Sequence, residues 1–204
     1  MTHWVLASSS PRRQELLKLL LTDFEVVPSH VDESVLVGES PERLVARLAR
    51  EKAVAVQRHY PSARIIGADT VVVRDTEILG KPASGDDSWN MLRKLSGKTH
   101  QVLTGVCLLY LDTTFVESST TDVTFCHLTD PEIEAYLRSG EPFDKAGAYA
   151  IQGLGARFVQ RIDGCYFNVV GLPVPRLYQM IKRLDLEISR TQRGQSSMSG
   201  NAWP

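Results

Sequence analysis

Gln101-Val102-Leu103-Thr104-Gly105-Val106-Cys107-Leu108-Leu109-Tyr110-Leu111 and, after a brief interval, Thr120-Thr121-Asp122-Val123-Thr124-Phe125-Cys126 read as two strands in direct succession. Both runs are rich in β-branched and apolar residues and carry no helical spacing. Upstream the pattern differs. Strand candidates at Trp4–Ala7, Phe24–Val27, Arg64–Val73 and Glu77–Leu79 alternate with helix candidates. One helix is expected from Arg12 to Leu21, introduced by Ser10-Pro11, where a hydroxyl cap precedes a proline whose missing N–H costs nothing. The same device recurs at Ser40-Pro41 and Asp130-Pro131, and a further helix fits Ser84–Leu95 with Gly97 just beyond it. Downstream, Arg157–Ile162 and Tyr166–Val170 look like strands and Pro175–Leu184 like a closing helix. Helices alternating with strands, then strands in succession, predict an α/β protein with a mixed sheet flanked by helices.

The 204 residues suffice for one domain of ordinary core size, or two small lobes. A single unit over residues 1–188 is expected, followed by a disordered tail at 189–204, where Ser, Gln, Arg, Gly and Asn take over. A formal net charge of −1 gives no support to a nucleic-acid binder, although a small phosphorylated ligand needs only a few local cations. Cys107, Cys126 and Cys165 follow no metal or redox spacing, so free thiols and a cytoplasmic setting are expected. No signal peptide or membrane-length apolar run is visible, and no membrane partner is expected.

Four segments could carry chemistry. Ser8-Ser9-Ser10-Pro11-Arg12-Arg13 joins a strand to a helix start, where free N–H groups and two guanidinium groups suit an anion. An exposed arginine pair beside a cap would read the same way. Asp69 interrupts a β-branched run, and burying an ionised carboxylate requires a partner. It is a metal ligand, a general base, or simply the mate of a lysine. Lys52 occupies an inward position on the stripe Leu44, Val45, Leu48, Ala49, Ala55 and Val56, unless it snorkels outward. Lys81 lies in the turn Gly80-Lys81-Pro82. The loop Gly140–Gly153 holds three glycines, and its Gln152 offers both a donor and an acceptor. The histidines follow no catalytic motif, so oxygen ligands with Lys and Arg remain, which is the chemistry of magnesium and phosphates.

In order along the chain, several of these motifs resemble those of the Maf-type nucleotide pyrophosphatases. They are Leu6-Ala7-Ser8-Ser9-Ser10-Pro11-Arg12-Arg13, Val31-Asp32-Glu33, Arg50-Glu51-Lys52-Ala53, Gly67-Ala68-Asp69-Thr70-Val71-Val72 and Gly80-Lys81-Pro82. Asp144-Lys145-Ala146-Gly147-Ala148-Tyr149-Ala150-Ile151-Gln152-Gly153 and Asn168-Val169-Val170-Gly171-Leu172-Pro173 complete the set. The resemblance implies a two-lobed fold akin to the inosine triphosphate pyrophosphatases, with nucleotide between the lobes, a homodimer and a divalent metal, Mg2+ or Mn2+. It implies cleavage between the α and β phosphates, with Asp69 as proton acceptor and Arg12, Thr70 and Gln152 as substrate-selecting positions. Ser8, Arg13, Lys52 and Lys81 would contact substrate, and Glu33 would hold the metal with Asp69. The segment from Asp144 to Gly153 is similar to the dTTP/UTP branch of that family. A house-cleaning role linked to cell-division arrest is implied as well. The alternative is a nucleotide-binding regulator of septum formation with little catalysis.

Overall fold

Trp4–Ala7 form strand β1, buried throughout, in a computed structural model that describes residues 3–198. Pro11 then opens helix α1 (Pro11–Leu17), with the Ser10 hydroxyl accepting from the Arg13 N–H. The helix stops at Leu17 and not at Leu21, because Leu20 and Leu21 reach the same apolar cluster as Leu16 and Leu17 from the following turn. The remaining strands are β2 (Glu25–Val26), β3 (Arg64–Arg74), β4 (Glu77–Leu79), β5 (Thr99–Tyr110), β6 (Thr113–Phe125) and β7 (Val159–Asp163). They form one seven-stranded sheet in the order β2-β1-β3-β5-β6-β7, with β4 pairing to β3. β1 runs parallel to β2 and β3, and all other pairs are antiparallel. The mixed sheet is therefore as expected. β6 starts at Thr113, well before Thr120, because Tyr110 pairs with Thr113 across a tight turn and locks the whole register.

Helix α2 (Pro41–Gln57) lies across β3 and β5. Its close approach depends on two glycines. A Cβ on Gly67 would stand 2.2 Å from the Ala49 carbonyl oxygen, and one on Gly105 2.2 Å from that of Val45. On this face Ala49, Ala53 and Val56 pack with Ile65 and Cys107, while Leu44, Val45 and Leu48 pack with Val71, Val73 and Leu103. Full burial of each larger side chain is worth about 1.5–3 kcal/mol.

The opposite face carries two apolar clusters. One joins Ile66, Ala68, Val106 and Leu108 to Leu16, Leu17, Leu177 and Met180. The other joins Val72, Val102 and Phe125 to Met91, Leu92, Leu95 and Tyr136. Met91, Leu92 and Leu95 lie on α3 (Gly85–Leu95), Phe125 ends β6, and Tyr136 lies on α4 (Asp130–Leu137). At α4 the cap is Thr129, one residue before Asp130, and its N–H and hydroxyl both donate to Glu132. Between the clusters runs a polar seam. The Thr70 and Thr104 hydroxyls are 2.9 Å apart, Thr104 donates to the Asn168 carbonyl at 3.0 Å, and the Asn168 amide donates to Thr121 at 2.9 Å.

Tyr166–Val170, strand-like by composition, is helix α5. Five residues are too few for periodicity to separate the two states, and tertiary partners decide. Asn168 is fully buried and bonded to β5 and β6, and Gly171 at φ +124° ends the turn. The closing helix α6 runs Val174–Met198, past the expected end at Leu184. Residues 189–198 of the expected disordered tail are thus helical, and 199–204 lie outside the described residues. Ile188 prolongs the apolar stripe of Leu177 and Leu184, while the Ser189 and Thr191 hydroxyls bond back to helix carbonyls. No helix among the described residues is long and apolar enough to cross a membrane.

Candidate functional site

β5 covers one edge of β3 from Ile65 to Val73. On the other edge β1 pairs only as far as Gly67, and β4 begins only at Val72. The backbone from Ala68 to Val71 therefore faces a gap between two strands of opposite direction, at the carboxyl end of β1. Such breaks in α/β sheets are where ligands lodge. A cleft of about 480 Å3 opens there.

Alternation along β3 sends Asp69 and Thr70 to opposite faces. Asp69 points toward α2, on the same side as Gly67. There the Lys52 ammonium lies 2.6 Å from Asp69 Oδ1 and 2.6 Å from Glu33 Oε1. Lys52 is buried, so of the two readings its spacing allowed the inward one holds and the snorkelling one does not. Asp69 is buried too, while Glu33 is half exposed. Partial burial pushes the Glu33 carboxyl up, but the Lys52 hydrogen bond and charge, helped by Lys81 and Arg13, hold it below its usual value.

Thr70 faces the other way. Its hydroxyl accepts from Arg13 Nη2 at 3.0 Å, and since Thr104 donates onward to Asn168, the Thr70 proton is committed to Thr104. Arg13 is further fixed by the Gly171 carbonyl at 2.8 Å and the Ser8 hydroxyl at 3.4 Å. Burial lowers its pKa from the usual value, with Asp69 opposing and Arg12 adding to the effect. It remains a cation at neutral pH. Arg12 reaches across the cleft mouth to Asp144 at 3.7 Å. Lys81, exposed in its turn, and Gln152 also line the cleft. The Gln152 amide has no hydrogen-bond partner among the described residues.

Every site residue singled out in the sequence thus lies along one cleft, including Ser8, Ser9 and Ser10. The Thr70 hydroxyl, besides lining the cleft, orients Arg13. Asp144, Lys145 and Tyr149 are among the lining residues that drew no role from sequence. Lys145 donates to the Glu141 carbonyl at 2.7 Å and pairs with Asp144. A charged pair inside a glycine-rich loop is the signal that could have marked them. Arg12, Arg13, Lys52, Lys81 and Lys145 outnumber Glu33, Asp69 and Asp144 around the cleft.

Fold and cleft together define a mixed α/β protein that can hold a small polyanion against a buried carboxylate. The chain belongs to the Maf family: the family model described as Maf-like protein matches residues 3–184. It is 51% identical to a dTTP/UTP pyrophosphatase of Syntrophomonas wolfei, over 92% of this chain and all of that one. It is 52% identical to the dTTP/UTP pyrophosphatase of Koribacter versatilis, over 88% of this chain and 93% of the relative. A Bacillus cereus protein of the same name is 47% identical over 91% and 97%. Among solved structures, the Staphylococcus aureus Ham1 protein aligns over 61% of this chain and 72% of its own, at 18% identity and a TM-score of 0.45. That likeness is too partial to bear on function.

Proposed function

We propose that this chain is a nucleoside triphosphate pyrophosphatase that hydrolyses dTTP and UTP to the monophosphate and pyrophosphate. The relatives just described carry that activity in their names and span nearly the whole chain. The observation that carries the chemistry is the meeting of Asp69, Lys52 and Glu33 in the gap beside β3, in the same cleft as the anchored guanidinium of Arg13.

In this reading Lys52 occupies Asp69 Oδ1 and leaves Oδ2 to take a proton from a water attacking the α-phosphorus. Arg13, held by three oxygens before substrate arrives, needs no reorganisation to meet phosphate charge. Arg12 and Lys81 lie at the more exposed rim, where they would meet the departing pyrophosphate. Gln152, with its amide unengaged, would read the edge of the base.

A divalent metal belongs to the same proposal. Glu33, from the segment between β2 and α2, and Asp69, from β3, converge on one ammonium, so the two carboxylates are already close together. Among the described residues no group of three or more His, Cys, Asp or Glu side chains is disposed to hold a metal. The donor set nevertheless fits Mg2+ or Mn2+, which take one or two carboxylates and draw their remaining ligands from phosphates and water. Glu33 and Asp69 would hold it, and when bound it would neutralise triphosphate charge.

Pyrophosphate release from a panel of nucleoside triphosphates tests the proposal, with magnesium, with manganese and with chelator. Metal-dependent release, greatest with dTTP and UTP, is expected. Saturable binding without release from any nucleotide would overturn the enzyme reading in favour of a regulator.

A further inference from the structure

The backbone on both sides of Gln152 is tied to two side chains that the proposed reaction does not use. The Tyr136 hydroxyl, on α4, accepts from the Ala150 N–H at 3.3 Å and donates to Glu141 Oε1 at 2.8 Å. Glu141 accepts two more bonds, from the Gly155 N–H at 3.0 Å and from the Leu154 N–H at 2.8 Å. Chain segments preceding and following Gln152 thus hang on one hydrogen-bonded pair.

The fit is close. Gly153 has φ +82°, and a Cβ there would stand 2.6 Å from Glu141 Oε2, so only glycine lets the carboxylate come this near. The Tyr136 ring is fully buried, edge-on to Phe158 at 5.0 Å, so the anchor rests on the core and not on the loop itself. Partial burial pushes the Glu141 carboxyl up, but the Leu154 and Gly155 amides, Tyr136 and Lys145 hold it below its usual value. It is therefore an ionised acceptor at neutral pH.

We infer that Tyr136 and Glu141 are positioning residues for base selection, fixing the stretch of backbone from which the Gln152 side chain enters the cleft. This rests on the reading of Gln152 as the group that meets the base. A side-chain amide discriminates between base edges only if its donor and acceptor stand at set positions, because a swinging amide turns to suit several. The bracket on both flanks supplies the backbone part of that constraint, holding the point from which the Gln152 side chain starts, and the base itself meets the amide.

Glu141→Gln keeps the shape of the side chain but turns one accepting oxygen into a donor. The test compares kcat/KM for dTTP, UTP, dCTP and dGTP in the full chain, in Glu141→Gln, in Gln152→Ala and in the double variant, with a thermal melt of each. Glu141→Gln is expected to lower the preference for dTTP over dCTP about threefold to tenfold, the scale of one hydrogen bond. The loss should fall mainly on the KM for dTTP, with kcat little changed. The double variant should be no less selective than Gln152→Ala alone, because both changes act on one contact. Equal slowing of every nucleotide by Glu141→Gln, or additive losses in the double variant, would overturn the inference. Unchanged preference in Gln152→Ala would overturn the reading of Gln152 itself. Blurred preference there, with Glu141→Gln unaltered, would overturn the bracket alone. Should Glu141→Gln fail to fold, Tyr136→Phe, which removes only the hydroxyl, carries the same comparison and the same expectations.

Discussion

At the level of single residues, the site turns on one ammonium between two carboxylates. Asp69→Asn leaves an oxygen for Lys52 and a shape that fits β3, so the fold should survive. Turnover should fall about 10²–10⁴-fold, the usual worth of a general base. Near-normal pyrophosphate release from that variant would make Asp69 structural. Lys52→Met should instead cost stability. It leaves buried Asp69 without its cation, a loss approaching ~3–5 kcal/mol for a fully buried pair. The cost is reduced here because Glu33 is half exposed and keeps its water. Adding Asp69→Asn to Lys52→Met should recover part of it in urea unfolding, and simple additivity of the two would show that they do not interact. Both residues were legible in the sequence for a similar reason: Asp69 interrupts a β-branched run, and Lys52 falls on the apolar stripe of its helix. The Lys52–Asp69 pairing was only one option there, because spacing within one element says nothing of which charge lies opposite in another. Thr70 shows the same limit. The sequence places it beside Asp69, but only the fold brings Arg13 and Thr104 to its hydroxyl.

At the level of elements, α2 can deliver Lys52 to Asp69 only because β3 and β5 carry glycine under it. Gly67→Ala or Gly105→Ala would drive a methyl into a helix carbonyl at 2.2 Å, and backbone cannot swing aside as a side chain does. Either change should cost about 1–3 kcal/mol or more and lift Lys52 from Asp69, so activity should fall further than stability alone accounts for. Gly85→Ala, where none of the described residues stands within 4 Å of an added Cβ, should leave both nearly unchanged. Thermal melts beside pyrophosphate release decide it, and a mild effect at Gly105 would mean that α2 is free to move. Helix starts were the most legible elements. Ser10-Pro11 and Ser40-Pro41 both cap as read, since a cap needs only its own few residues. Helix α5 was misread because Tyr166–Val170 is short and β-rich in composition, and its helical state depends on partners in β5 and β6. The early part of β6 was missed for a related reason, since pairing with β5 and not its own pattern makes it a strand.

At the level of the whole molecule, the long antiparallel strands join two apolar clusters across the polar seam, and one buried histidine links them to solvent pH. His100 on β5 lies 2.8 Å through Nε2 from the Tyr149 hydroxyl, packs edge-on to Phe125, and leaves Nδ1 without a partner among the described residues. Burial, reinforced by Arg74, lowers its pKa to about 3. In the unfolded chain the imidazole titrates near the usual value of about 6.5. Between those values the unfolded state binds a proton that the native state refuses, so stability rises with pH across the window and is complete above it. Falling pH should thus remove up to about 1.4 kcal/mol per unit below 6.5, near 2 kcal/mol by pH 5. Because β5 is bonded along its length to both β3 and β6, this penalty falls on global unfolding and not on one frayed edge. His100→Phe keeps an aromatic ring in place and removes the titration. It should be less stable at pH 7, since the Tyr149 hydroxyl loses its partner at a cost of about 1–3 kcal/mol. Its urea midpoint should nevertheless change much less than the parent's between pH 7 and pH 5. Parallel pH profiles for the two proteins would mean that His100 takes up its proton inside the folded chain, and that the aromatic cluster around it admits water.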